Sequence, residues 1–133
     1  MPSNKKVGND FERELCELLA AEGFWAHNLA MNSAGQPADV IAVRNEKAFL
    51  IDCKDCIGDR FVLSRVEENQ RLAMDLWVQC GNEQGLFAIK IEGEIYMIPY
   101  DVIRHLSKTI RSLKIRDMTY IGIPIGEWVK MCK

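Results

Sequence analysis

Leu50-Ile51-Asp52-Cys53-Lys54 decides how the whole chain is read. Along an extended strand alternate residues share a face, so Ile51 and Cys53 point one way and Asp52 and Lys54 the other. Two charges on one face of an apolar strand need a reason, because burying an ionised group is costly unless it is paired or bound to a metal. Upstream, Pro37-Ala38-Asp39-Val40-Ile41 sets another acid at the head of an apolar strand, directly after the small polar loop Asn32-Ser33-Ala34-Gly35-Gln36-Pro37. The stretches 38–43 and 48–54 flank Arg44-Asn45-Glu46-Lys47 and predict an antiparallel hairpin. The hairpin brings Asp39 and Asp52 onto adjacent strands, where two carboxylates can meet at one divalent cation. Lys54 beside them can hold a water or a phosphate oxygen. Such a set suits phosphodiester hydrolysis: a carboxylate-bound cation lowers the pKa of its water, and the lysine places positive charge near the pentavalent centre. Among these acids Lys54 is expected to stay protonated and to act through charge and position.

The flanking elements follow from periodicity. Asn9 or Asp10 is expected to cap a helix whose apolar stripe is Phe11, Leu15, Leu18 and Leu19 and which stops at Gly23. Residues 24–29 predict a strand. After a turn at Gly58-Asp59, Ser64-Arg65-Val66-Glu67 reads as a capping box that opens a helix carrying Val66, Ala73, Met74, Trp77 and Val78 on one side. Residues 86–91 and 94–98 predict a second hairpin around Glu92-Gly93. A third helix is expected over Tyr100–Leu113, with Val102, Ile103, Leu106, Ile110 and Leu113 inward, then a strand at Tyr120–Ile123 and a short helix near Trp128. The order predicts an α/β fold of the α+β kind, a central mixed sheet flanked by helices.

Composition bounds the partners. The chain has 133 residues, enough for one domain and one site, with a formal charge of -2. Seven basic residues and two acids fall in residues 104–133, a net of +5 that leaves -7 for the first 103. An acidic total argues against coating nucleic acid by bulk charge but allows a local basic surface. Arg104, Lys108 and Arg111 are spaced for one side of the expected third helix, where they would contact phosphates, or simply form a solvated face. Lys5 and Lys6 could contribute from a mobile N-terminal arm. No apolar run approaches a membrane span, the polar start Met1–Lys6 predicts no export signal, and five cysteines in apolar or helical settings suit reduced thiols in a cytoplasm. Cys53-x-x-Cys56 lacks the second ligand pair a structural zinc needs.

The motif resembles the P-D…(D/E)-x-K signature of the restriction-endonuclease-like nuclease superfamily. In order and spacing, Gly8-Asn9-Asp10-Phe11-Glu12-Arg13-Glu14-Leu15, Ser33-Ala34-Gly35, Ala38-Asp39-Val40-Ile41, Phe49–Lys54 and Leu86-Phe87-Ala88-Ile89-Lys90 are similar to the archaeal-type Holliday junction resolvases over about residues 5–100. The resemblance implies one nuclease domain over 1–133, its core at about 5–100 and a basic C-terminal extension at about 101–133. It implies Asp39 and Asp52 as metal-ligand carboxylates, joined by the Cys53 backbone carbonyl, and Glu12 as an accessory metal-site acid. It also implies Lys54 as the catalytic lysine, Ser33 as a loop serine approaching the scissile phosphate, and Gln70 as a glutamine beside the site. The cofactor implied is Mg2+, with Mn2+ as a substitute. The partner is DNA, expected to be four-way junctions, contacted by Lys5, Lys6, Arg13, Ser33, Arg65, Arg104, Lys108 and Arg111. The family often has glutamate where this chain has Asp52.

Several plainer readings stand beside these. Periodicity does not choose between Glu12 and Glu14, which lie on opposite shoulders of the apolar stripe. Asp39 could simply open a strand, and Asp52 with Lys54 could be a surface ion pair. A restriction, repair or phage-processing nuclease acting on other DNA, or a catalytically silent DNA-binding protein of the same fold, are the alternatives to a resolvase. Paired cuts from a chain with one site imply a two-fold dimer, with Val102, Ile103 and Trp128 as candidate contact residues.

Overall fold

The computed structural model describes residues 4–29 and 38–132, with side chains in the first helix from Asp10 onward. The loop expected at residues 32–37, Ser33 included, lies outside the described residues, as do the side chains of Lys5 and Lys6. Helix α1 spans Asn4–Ala21. It begins before Asn9 and Asp10, so Lys5 and Lys6 belong to its first turn and not to a separate arm; no proline intervenes to stop propagation. Strand β1 covers Trp25–Asn28, β2 Val40–Arg44 and β3 Lys47–Cys56. The β2–β3 hairpin forms as expected, with Val40 opposite Ile51. Asn45 and Glu46 at its tip both adopt positive φ, which gives a two-residue turn the twist of its strands.

A short strand β4 (Arg60–Val62) runs into one 3-10 turn at Leu63–Arg65, and α2 follows at Glu68–Gln79. The capping box is therefore Glu67 with Gln70, not Ser64 with Glu67. Buried Leu63 anchors the 3-10 turn, and Val66 packs in the core ahead of α2. β5 (Leu86–Ile91) and β6 (Glu94–Pro99) form the second hairpin, closed by Glu92 and Gly93 at positive φ. Helix α3 stops at Leu106, having begun at Tyr100. The apolar spacing continues, but Leu113 is spent on strand β7 (Ser112–Lys114), where it lies opposite Phe61 of β4. α4 occupies Ile115–Ile121 and takes Tyr120 and Ile121 from the strand expected at Tyr120–Ile123, which shrinks to β8 (Ile123–Pro124) ahead of α5 (Ile125–Met131) around Trp128.

The six-stranded sheet has the order β1-β2-β3-β5-β6-β8. Only β3 and β5 pair in parallel; every other neighbour is antiparallel. A parallel pair needs a crossover, and α2 supplies it. One sheet face packs Phe11, Leu15 and Leu19 of α1 and Trp128 and Val129 of α5 against Ile51, Ala88 and Met97. The other packs Met74, Ile103, Met118, Phe61 and Leu113 against Leu50, Phe87 and Ile89. Helices thus flank a mixed sheet on both faces, as the sequence predicts. The C-terminal stretch is part of this core: Trp128 stacks on Phe24 at 5.6 Å and meets Phe49 edge-on at 5.1 Å. Ile103 and Trp128 are buried inside the chain and Val102 packs on the core, so none of the three is offered to a second copy.

Candidate active site

β3 passes through the centre of the sheet, which is why its charges end up buried. Asp52 is 1% exposed and Lys54 9%. Both project toward the α2 side, with Lys54 Nζ 3.3 Å from Asp52 Oδ2. Neither Asp52 oxygen finds a hydrogen bond of good geometry, so the ion pair leaves this carboxylate with open valence. Asp39, one residue before β2, is tied down three ways. Its N–H donates to the Ile51 carbonyl at 3.1 Å, its own carbonyl accepts from Leu29 N–H at 2.8 Å, and its Oδ2 accepts from Cys53 N–H at 2.7 Å. A residue's N–H and C=O point to the same edge of a strand, so the Cys53 carbonyl lies on the Asp39 side, where the resemblance puts a backbone ligand. The Cys53 thiol points away, into the core under α1.

α1 sends Glu12 and Glu14 to different partners. Glu14 turns to Lys90, whose Nζ donates to Oε1 at 2.6 Å and Oε2 at 3.1 Å. Glu12 turns to the acids. Its carboxyl pKa is raised to about 7, first by burial and then by the charge of Asp39 and a hydrogen bond with it; Asn28 and Lys54 oppose the shift. Asp52 is also held well above the usual carboxylate range, chiefly by burial and by the nearby Asp39 carboxyl, against the pull of Lys54. The acids are therefore crowded and short of positive charge. Gln70 reaches Lys54: its Oε1 accepts from Lys54 Nζ at 3.3 Å and from Glu67 N–H at 2.9 Å, linking the lysine to the start of α2.

Asn28 was missed in the sequence. Its Nδ2 donates to Glu12 Oε2 at 3.1 Å, and its Oδ1 accepts from the Cys16 thiol at 3.0 Å. The signal was alternation: Asn28 stands two residues after Ala26, which packs under α1.

Hard carboxylate oxygens, one pair of them lacking donors, fit a small divalent cation. Among the described residues no three His, Cys, Asp or Glu side chains converge into an ion-holding group. The donors that would hold such a cation are the Asp39 and Asp52 carboxylates.

The basic residues are dispersed. Arg13 pairs with Asp10 at 3.0 Å, Arg104 lies 3.9 Å from Asp75, and Arg65 donates to the Asp55 carbonyl at 3.1 Å. Because α3 ends at Leu106, Lys108 and Arg111 fall in the turn beyond it and do not share a helix side with Arg104.

A mixed sheet whose central strand carries Asp52 and Lys54 beside the Asp39 of the next strand defines a restriction-endonuclease-like nuclease. The family model for the archaeal Holliday junction resolvases (Hjc) matches residues 3–133, and the chain belongs to that family. The match includes the C-terminal stretch that the sequence resemblance did not reach. Among solved structures, Hjc from Archaeoglobus fulgidus, a Holliday junction resolvase from an archaeal hyperthermophile, superposes with a TM-score of 0.70 at 20% identity, covering 93% of this chain and 96% of that one. The bacterial homing endonuclease I-Ssp6803I superposes with a TM-score of 0.63 at 13% identity, covering 99% of this chain and 93% of that one. No curated protein sequence is significantly similar to the chain. Among the described residues no helix is long and apolar enough to cross a membrane.

Proposed function

We propose that this chain resolves four-way DNA junctions as a divalent-cation-dependent endonuclease, with Mg2+ as its ion and Mn2+ as an effective substitute. The observation that carries the reading is the buried, donor-poor Asp52 carboxylate held between Asp39 and Lys54. Asp39, Asp52 and the Cys53 carbonyl would hold the ion, with Glu12 beside them through Asp39. When bound, the cation supplies an activated water and offsets charge on the scissile phosphate. The chain's own residues do the rest. Lys54, held by Asp52 and Gln70, would direct its Nζ to the negative charge that develops on the phosphorane oxygens. Asn28 holds Glu12 toward the acids. Ser33 would approach the phosphate from the loop before Asp39.

Resolution cuts two opposed strands, and one chain carries one site, so the working unit is a two-fold dimer. Leu72 and Leu76, one turn apart on α2 and 61% and 59% exposed, form an apolar pair that would serve that contact.

The test uses purified protein with Mg2+ and labelled four-way junction, linear duplex and flap DNA, beside Asp52→Asn and Lys54→Ala. Paired symmetric nicks on the junction, absent in both variants and after chelation, are expected. Equal cutting of all three substrates would point to a nuclease of other DNA, and binding without cutting to a silent binder.

A further inference from the structure

The basic residues that line a hollow say more than those that do not. Between the 3-10 turn, α2 and the segment after α3 lies a cavity of about 380 Å³, lined by Val62, Ser64, Arg71, Ser107, Ile110 and Arg111. Arg71 and Arg111 take part in none of the ion pairs among the described residues. On α2 Glu68 stands three residues before Arg71 and Asp75 four after it; neither forms an ion pair with it, and Asp75 lies 3.9 Å from Arg104. Ser64, which caps neither the 3-10 turn nor α2, leaves a hydroxyl at the same hollow; the Ser107 hydroxyl is already donated to the Arg104 carbonyl. The wall is fixed, because Leu63 N–H donates to the Arg111 carbonyl at 2.9 Å. Val62 and Ile110 are 40% and 39% exposed, an apolar margin beside two cations. Two guanidinium groups and a hydroxyl next to an apolar rim match the chemistry of a phosphate with its sugar. Position agrees: Arg71 directly follows Gln70, whose amide oxygen touches Lys54.

We propose that this hollow is a second backbone-binding site. It takes one DNA phosphate, away from the bond that is cut, on Arg71 and Arg111, with Ser64 as a further donor and the deoxyribose against Val62 and Ile110. The proposal rests on the junction-cutting function above. It adds Arg71 and Ser64 to the DNA contacts and gives Arg111 a specific partner. It also explains how an acidic chain holds DNA: a few cations gathered at a hollow suffice, because phosphate contacts position the duplex without reading it.

The experiment measures binding of labelled four-way junction without divalent ion, across a salt series, for wild type, Arg71→Gln, Arg111→Gln, Arg71→Lys and, as a charge control, Lys47→Gln. Arg71→Gln and Arg111→Gln are each expected to weaken binding about tenfold and to lower the salt slope by about one. Arg71→Lys is expected to keep most of the slope, and Lys47→Gln to leave both quantities alone. Thermal midpoints near wild type for all four would exclude misfolding as the cause. A wild type that cuts junctions while both glutamine variants bind like it overturns this site and leaves the nuclease reading standing. Stabilisation by inorganic phosphate that is lost in Arg71→Gln, with DNA binding unmoved, means a small-anion site only and also overturns the proposal. A wild type that neither binds nor cuts any DNA overturns the nuclease function, and this site with it.

Discussion

In the proposed reaction Asp52 serves catalysis at the expense of the fold. Burial and neighbouring acids raise its pKa, so its ionised form is unfavourable until a cation arrives. Asp52→Asn is therefore expected to raise the melting temperature of the metal-free protein while lowering nicking by about a hundredfold or more. Calorimetry in chelator beside a nicking assay checks both halves; a variant less stable than wild type would mean that Lys54 needs Asp52 more than the acids repel one another. Glu12 gives a pH signature. Its folded pKa of about 7 lies above the ordinary 4.5, so between those values the folded state binds more protons than the unfolded one. Stability of the metal-free protein is thus expected to fall as pH rises from about 4.5 to 7, with the full penalty above that window. Melting curves in chelator at both ends of the window, for wild type and Glu12→Gln, test this, the variant showing the smaller drop. The Asp52 and Lys54 signal was legible because a strand's two-residue period puts both charges on one face of an otherwise apolar strand. Asn28 was harder to find, since its meaning depends on a partner sixteen positions away on another element.

At the scale of elements, both hairpins could be read because their turns and alternation are local. The region after Tyr100 could not. Leu106, Ile110 and Leu113 keep helical spacing, yet Leu113 is buried opposite Phe61 on the two-stranded β4–β7 ribbon. A tertiary pairing overrides the period, and nothing near Leu113 announces it. Ser64 misled for a similar reason: its spacing to Glu67 suits a cap, but the buried Leu63 fixes the segment as a 3-10 turn and moves the cap to Glu67. Phe61 then becomes the test of the ribbon. Phe61→Ala is expected to cost about 3–5 kcal/mol in denaturant unfolding; a near-neutral result would mean the ribbon lies outside the cooperative core. Gly85 marks a close approach, since a methyl group there would overlap the Met74 side chain of α2. Gly85→Ala is expected to cost about 1–3 kcal/mol and, by displacing α2, to loosen the Gln70 hold on Lys54.

For the whole molecule, the prediction concerns assembly. Sedimentation is expected to show two copies per particle, and Leu72→Glu with Leu76→Glu to give a monomer that nicks one junction strand without its opposite. A monomeric wild type that still makes paired nicks would sink the two-fold arrangement. Charge asymmetry, visible in composition alone, takes a different meaning in three dimensions. The basic C-terminal stretch is no appendage: α4 and α5 are built into the two cores, and its cations are spread over α3, β7, α4, α5 and the turn after α3.

The single parallel pairing has a further consequence for how the enzyme is made. Every acid of the site, and Lys54, is translated before residue 55, whereas β5, which covers the open side of β3, begins only at Leu86. In a growing chain Asp52 and Lys54 therefore wait some thirty residues of synthesis, at about 5–20 residues per second, before the strand that pairs beside them begins. During that interval Gln70 has not docked and the sheet is incomplete, so nicking activity and protection of β3 from amide exchange should emerge together, late in translation.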